Sequence, residues 1–156
     1  MQITTTMRKP EASLAIRFFG VDGTIIDFGV VSRKCVTDDW VEMLVDVLQS
    51  TDATFSDFKY HDSGEGVVAE DETDAALGSP CGEARDAGTQ TEGASANIYK
   101  SVATHTYAGA FSITEHGLFN AAAAGVLMDR SVFTAKPVDV GEKLEFTYEV
   151  LFPSGS

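Results

Sequence analysis

The chain has few basic residues, few cysteines and no long apolar run. Eleven lysines and arginines stand against 24 acidic residues, which gives a net charge of −13. Such a surface repels both nucleic acid and anionic membranes, so we expect neither as a partner. No uninterrupted apolar stretch approaches the roughly 20 residues that a transmembrane helix needs. We therefore expect no membrane-spanning segment.

Cysteine is almost absent: Cys35 and Cys81 are the two examples, and neither belongs to a CxxC motif or a cluster of metal ligands. The N-terminus also lacks the apolar core and small-residue cleavage site of a secretory signal. These features favour two buried free thiols, with a disulfide as the alternative. We expect the chain to be made and used in the cytoplasm, or in a particle assembled there.

Apolar residues are plentiful enough for one core. Hydrophobic residues make up 44% of the 156, which fits a single domain over 1–156. Within it we distinguish an N-terminal arm at 1–10, an acidic loop at 62–82 and core strands over 96–152. The arm and the acidic loop are the segments expected to contact partners.

The first structured segment is predicted to be a β-hairpin. Two β-prone runs, 12–21 and 24–31, are joined by Asp22-Gly23, the pair favoured in a two-residue type I′ turn. The same segment resembles the first motif of haloacid-dehalogenase-type phosphatases, in which an aspartate nucleophile precedes Asp-Gly-Thr by two positions. Gly20 occupies the nucleophile position, and a covalent phosphoryl transfer needs that aspartate. A hairpin turn is therefore favoured over a phosphatase motif as the interpretation of this segment.

The next segment changes to a helical period. Trp40, Met43, Leu44, Val47 and Leu48 recur at helical spacing, which predicts one helix over about 38–49. Thr37 is placed to cap its first turn. Val41 and Val45 widen the apolar stripe, so we expect the helix to be clamped between a sheet and a second surface such as a neighbouring subunit.

Strand patterns dominate the rest of the chain. Short strands are predicted at 55–61, 96–114 and 126–133, and the alternation over 144–152 is typical of a strand with one buried face. A run of small residues at 120–125 is interpreted as a connection. With one helix and several short strands, the sequence predicts a mainly β fold, an antiparallel β-sandwich with the helix packed on an edge or end.

No residue set predicts catalysis, a cofactor or a metal site. His61, His105 and His116 lack helix-face metal spacing, and His61-Asp62 and Glu115-His116 are interpreted as local hydrogen bonds between sequence neighbours. The acidic loop lacks the alternating ligand ladder of an EF-hand, which favours a solvated charge run over a calcium site. We therefore predict a protein that is not an enzyme and binds no cofactor.

The C-terminal half resembles small virion proteins of tailed bacteriophages. The likeness rests on Ile113–Asn120 (ITEHGLFN), on Gly125–Phe133 (GVLMDRSVF) and on Val138–Tyr148 (VDVGEKLEFTY). Upstream, YHDSG at 60–64 and NIYK at 97–100 also fit that group, so the likeness covers about 33–152. It implies a tight turn after Glu115, an Arg130 that pairs across strands, and no reaction or cofactor.

The resemblance implies a virion structural protein, assembled into particles in the host cytoplasm. The most concrete form is a decoration or cement protein that reinforces contacts between major capsid subunits, itself a trimer or a dimer. A tail or baseplate component is the alternative. The negative charge suits such a subunit, because it keeps the chain soluble until a specific partner is met.

Overall fold

The computed structural model describes residues 10–33, 36–49 and 57–153. These residues form nine strands and one helix. In chain order they are β1 Glu11–Phe19, β2 Ile25–Ser32, α1 Asp38–Leu48, β3 Tyr60–Gly64, β4 Asp86–Ala87, β5 Thr89–Glu92, β6 Ile98–Thr106, β7 Phe111–Phe119, β8 Leu127–Val138 and β9 Lys143–Leu151.

Two sheets face each other across the core. One has the strand order β2-β1-β9-β6-β5 and the other the order β4-β3-β7-β8. Every pairing between the named strands is antiparallel. The fold is thus the antiparallel β-sandwich with one helix that the sequence predicts. Its antiparallel pairing differs from the parallel, helix-covered sheet expected of an α/β fold.

The core follows from alternation along the strands. Buried and less buried residues alternate through β1 and β9, as expected for strands with one face on the core. One buried cluster contains residues of both sheets. Its most deeply buried members include Leu14, Ile16, Leu118, Phe146 and Val150.

The N-terminal hairpin is confirmed, but its turn differs from the prediction. Phe19 pairs with Ile25, and in the loop between them the Gly20 amide donates to the Thr24 carbonyl at 2.8 Å. A type I′ turn needs positive φ at both central residues. Here Gly23 has a φ of 87°, whereas Asp22 is not in that region. The chain therefore makes a longer loop that contains one left-handed glycine.

The helix is confirmed at Asp38–Leu48, and it packs against β8. Trp40 and Met43 are buried, and the Trp40 ring lies 5.8 Å from that of Phe152. The predicted apolar stripe is too wide, because Leu48 is 85% exposed. Val41 and Val45 are also exposed, so the described residues supply no second surface over this face. With 11 residues α1 is too short to cross a bilayer, and the described residues include no other helix.

The strand predicted at 96–114 is two strands that belong to different sheets. Strand β6 ends at Thr106 and β7 begins at Phe111, with small residues at 108–110 between them. The chain crosses the sandwich there, which the single run of alternating residues did not reveal. The last strand, predicted at 144–152, is confirmed as β9, and the connection predicted at 120–125 is confirmed as irregular.

Three other boundaries are corrected. The strand predicted at 55–61 begins only at Tyr60, because the Phe58 carbonyl accepts a hydrogen bond from the Tyr99 hydroxyl and takes no part in a ladder; residues 55–56 lie outside the described ranges. Beta8 extends to Val138, since Pro137 is tolerated on an edge strand. The turn predicted after Glu115 is absent, because Glu115 lies in the middle of β7.

Thr37 joins the helix to the sheet. Its Oγ1 accepts from the Trp40 amide at 3.4 Å and donates to the Leu127 carbonyl. We expect Thr37→Ala to lower the free energy of unfolding by about 1–2 kcal/mol, because both groups lose their partner. Thr37→Ser keeps the hydroxyl and is the matched control. Urea unfolding at neutral pH measures both, and an equal loss in the two variants would contradict the capping role.

Candidate functional site

Buried polar side chains lie on both faces of the four-stranded sheet, because consecutive strand residues point to opposite faces. Ser63 on β3 pairs with His116 on β7, while Gly64 pairs with Glu115. Because strand residues alternate, His116 points to the inner face, toward the other sheet, and Glu115 to the outer face. The irregular segment 65–85 covers Glu115. Two separate polar networks result.

The outer network centres on the Glu115 carboxylate, which is fully buried. Its Oε1 accepts from the amides of Gly66 at 3.1 Å and Ser79 at 2.6 Å. Its Oε2 accepts from the Gly78 amide at 2.9 Å and from Arg130 Nε at 2.8 Å. Four donors thus compensate for the water that the carboxylate loses on burial.

Arg130 extends the same network across the covering segment. Its Nη1 donates to Asp74 at 3.0 Å and its Nη2 to the Val68 carbonyl at 3.1 Å. The predicted cross-strand pairing of Arg130 is confirmed, with Glu115 on the adjacent strand as its partner. We call Glu115, Arg130 and the loop groups that they bind at Gly66, Val68, Asp74, Gly78 and Ser79 the clasp.

Glycines make the clasp possible. A Cβ on Gly66 would lie 2.5 Å from the Glu115 carboxylate, and one on Gly64 would lie 2.4 Å from the Ser79 carbonyl oxygen. Both distances are shorter than any side chain tolerates. The loop backbone therefore approaches the carboxylate at positions where no side chain intervenes.

The acidic loop predicted at 62–82 is thus shorter and more firmly held than expected. Its first three residues belong to β3, and the Glu65 amide donates to the Ser79 carbonyl at 2.8 Å. Beneath it, a second small core contains Leu77, Phe119 and Leu127. Buried side chains therefore hold the loop backbone at Gly66, Val68, Gly78 and Ser79.

The inner network contains a histidine pair that the sequence did not predict. His61 Nδ1 lies 2.9 Å from His116 Nε2, and His61 Nε2 lies 2.8 Å from the Ser101 hydroxyl. The expected bonds to the neighbouring acids are absent: Asp62 pairs with Arg85, and Glu115 with Arg130. Strand alternation, which places residues two apart on one face, is the signal that could have grouped His61 with the core.

Serine beside histidine has the spacing of a nucleophile and its base, but this pair is sealed. Ser101 and His116 have no exposed surface and His61 has 2%. Burial lowers the pKa of His61 to about 3, and burial together with His61 holds the pKa of His116 well below its usual 6.5. Both rings are therefore neutral near pH 7. A general base works best with a pKa near the working pH, so the arrangement suits packing better than proton transfer.

Asp129 is the third ionisable group on the inner face, and it is fully buried on β8. Burial raises its pKa to about 7, although hydrogen bonds from Ser131 and Tyr148 oppose the rise. The carboxyl group is therefore partly protonated at neutral pH. It differs from Glu115, which binds a cation at equal depth.

His105 and Cys81 lie outside both networks. His105 is held between Asp86 and Glu83, one carboxylate on each ring nitrogen. Cys81 is a half-buried free thiol, and Cys35 lies outside the described residues. Across 10–33, 36–49 and 57–153, no three acidic, histidine or cysteine side chains are grouped as metal ligands.

The pairing of Glu115 with Arg130 in the clasp should contribute strongly to the stability of the fold. We expect Glu115→Gln to lower the free energy of unfolding by about 3 kcal/mol, because Arg130 keeps its buried charge and loses its nearest partner. Glu145→Gln is the matched control: it breaks the exposed pair with Arg17, 3.2 Å apart, and should change stability by less than about 1 kcal/mol. Guanidinium unfolding measures both. Equal effects would contradict the central role of the clasp.

The histidine pair should make the fold sensitive to acid. Unfolding exposes both rings, which then bind protons below pH 6.5 while the folded rings remain neutral. The unfolded state binds more protons, so stability falls as pH falls below 6.5, by about 1.4 kcal/mol per pH unit for each histidine. His61→Gln should reduce this slope by about one such increment. Urea unfolding at a series of pH values measures it.

Asp129 should change the stability with pH in the direction opposite to that of the histidines. Its folded pKa of about 7 exceeds the ordinary 3.8, so the folded state keeps a proton that the unfolded state releases. Stability from this group is complete below pH 3.8 and declines as pH rises toward 7. Asp129→Asn should remove that decline and leave the acid sensitivity. A pH profile unchanged in both variants would refute the assignment of these groups.

Comparison with protein-family models, with curated proteins and with solved structures finds no match to this chain.

Proposed function

We propose that the chain is a structural protein of a bacteriophage particle, a decoration or cement protein that binds the outside of the capsid lattice. Its partner is the major capsid protein, and its biology resides in its outer surface. The proposal begins from the resemblance of the C-terminal half to small virion proteins. It is supported by where the residues of that resemblance lie.

One observation carries the proposal: three of the five resembling segments are neighbours in space. The segments 60–64, 113–120 and 125–133 supply the three adjacent strands β3, β7 and β8. Gly64, Glu115 and Arg130 from these segments lie together in or against the clasp. These three segments therefore form one structural unit, a sheet that holds a loop on its outer face, while 97–100 and 138–148 lie mainly in β6 and β9 of the facing sheet. A unit of this kind suits a protein that works by presenting a surface.

The physical properties of the chain agree with assembly on a lattice. A small rigid sandwich buries a modest area per copy, and occupancy of many equivalent sites multiplies the stabilisation of the particle. The charge of −13 keeps free copies apart before they bind. Apolar side chains are nevertheless exposed on β2, where Ile25 is 59% and Val30 46% exposed. Such residues favour contact with another protein.

Two alternatives remain distinct from this proposal. A tail or baseplate component would use the same scaffold at far lower copy number. A phosphatase would require chemistry at the N-terminal motif, where the Asp22 carboxylate accepts a hydrogen bond from the Thr24 amide at 2.9 Å within an exposed turn. That contact gives Asp22 a local structural role.

Copy number in purified particles tests the proposal. We expect the chain to co-purify with particles at a ratio to the major capsid protein that corresponds to hundreds of copies, because a lattice repeats its binding site. Quantitative gel densitometry or mass spectrometry measures the ratio. A handful of copies would favour the tail component. Absence from particles, or turnover of a phosphomonoester with magnesium, would refute the structural role.

A further inference from the structure

Two exposed valines project from the best-anchored part of the acidic loop. Val67 and Val68 are each 74% exposed, although the clasp holds the backbone at Gly66 and at Val68 itself. Exposed apolar pairs in flexible loops need no explanation. A pair on a backbone fixed by a buried ion pair is different, because its geometry is set before any partner arrives.

The anchoring acts on both sides of the pair. On one side, the Gly66 amide donates to Glu115 at 3.1 Å and the Gly66 carbonyl accepts from the Thr114 hydroxyl at 2.8 Å. On the other, the Val68 carbonyl accepts from Arg130 at 3.1 Å. The clasp therefore fixes the backbone while both side chains face solvent.

The charge around the pair indicates the chemistry of the partner. Residues 62–82 contain no lysine or arginine, and their acidic members are Asp62, Glu65, Glu70, Asp71, Glu72 and Asp74. Arg85 and Arg130 pair with Asp62 and Asp74, and Arg130 is only 3% exposed. The exposed acids of the loop are Glu65, Asp71 and Glu72. An apolar pair in an acidic surround complements an apolar pocket with a basic rim. A second copy of this chain, at −13, is a poor match.

We propose that Val67 and Val68 are the anchor by which this chain docks, entering an apolar pocket rimmed by lysine or arginine on the capsid lattice. This inference rests on the proposed function and assigns its contact site. The valines supply the buried apolar contact, and the surrounding carboxylates orient the chain and speed its encounter with the partner. The clasp keeps the ordering cost of the loop low.

The test uses purified particles assembled without this chain, to which the purified chain is added. We expect Val67→Asp and Val68→Asp each to weaken binding at least about tenfold, because a charge replaces an apolar anchor. Added negative charge alone would strengthen attraction to a basic rim. Raising the salt from about 50 to about 500 mM should weaken wild-type binding, because screening reduces charge pairing. Melting temperatures should stay close to wild type, since both side chains are solvent-exposed.

Val21→Asp is the matched control. Val21 is 73% exposed in the β1–β2 loop, far along the chain from the clasp, and undergoes the same chemical change. We expect its binding to match wild type within about twofold. Equal weakening by Val21→Asp, or wild-type binding by Val67→Asp and Val68→Asp, would overturn this inference and leave the structural role standing.

Two further outcomes also decide the matter. If the wild-type chain neither binds these particles nor occurs in native ones, both the docking site and the proposed function fail. If the chain alone dimerises in sedimentation experiments and Val67→Asp abolishes the dimer, the valines bind a second copy and the assignment of a basic-rimmed partner is overturned.

Discussion

The buried pair of Glu115 and Arg130 is the interaction on which the outer half of the structure depends. Burial removes several kcal/mol of hydration from each ion, so the pair is favourable only if further hydrogen bonds replace the lost water. Three loop amides and two loop acceptors supply them. The sheet therefore cannot keep these charges buried without the loop, and the charges in turn hold the loop backbone beside the small core around Leu77.

Local patterns made the sandwich predictable, whereas contacts between distant segments did not show in the sequence. Alternation fixed β9, and helical spacing fixed α1, because each signal lies within one element. The clasp joins positions 66 and 115, 49 residues apart, so the acidic loop looked like a solvated charge run. Beta5 was missed because all four of its residues are exposed and show no alternation. The histidine pair joins positions 55 residues apart, whereas the sequence places an acid directly beside each ring.

The two faces of β7 show how one strand serves two environments. Glu115 pairs with Arg130, whereas burial and the neighbouring His61 hold the pKa of the adjacent His116 well below its usual value. The inner face therefore combines two kinds of group. The histidines lower the stability of the fold in acid, whereas Asp129 lowers it as pH rises toward neutrality. Between pH 3.8 and 6.5 these contributions oppose each other, and the two histidines outweigh the single carboxyl group. The inner network thus favours folding near neutral pH.

Buried ionic networks often give little net stability compared with apolar packing. Their contribution can instead be to fix one conformation of the chain. Here the specified feature is the path of a loop. The Val21 turn reaches similar exposure with backbone hydrogen bonds and one aspartate of its own. Holding Val67 and Val68 instead requires a fully buried carboxylate, a nearly buried guanidinium and glycines that admit no side chain. Such an arrangement is excessive for a connection between two strands, but it suits a surface whose shape must be correct before a partner binds.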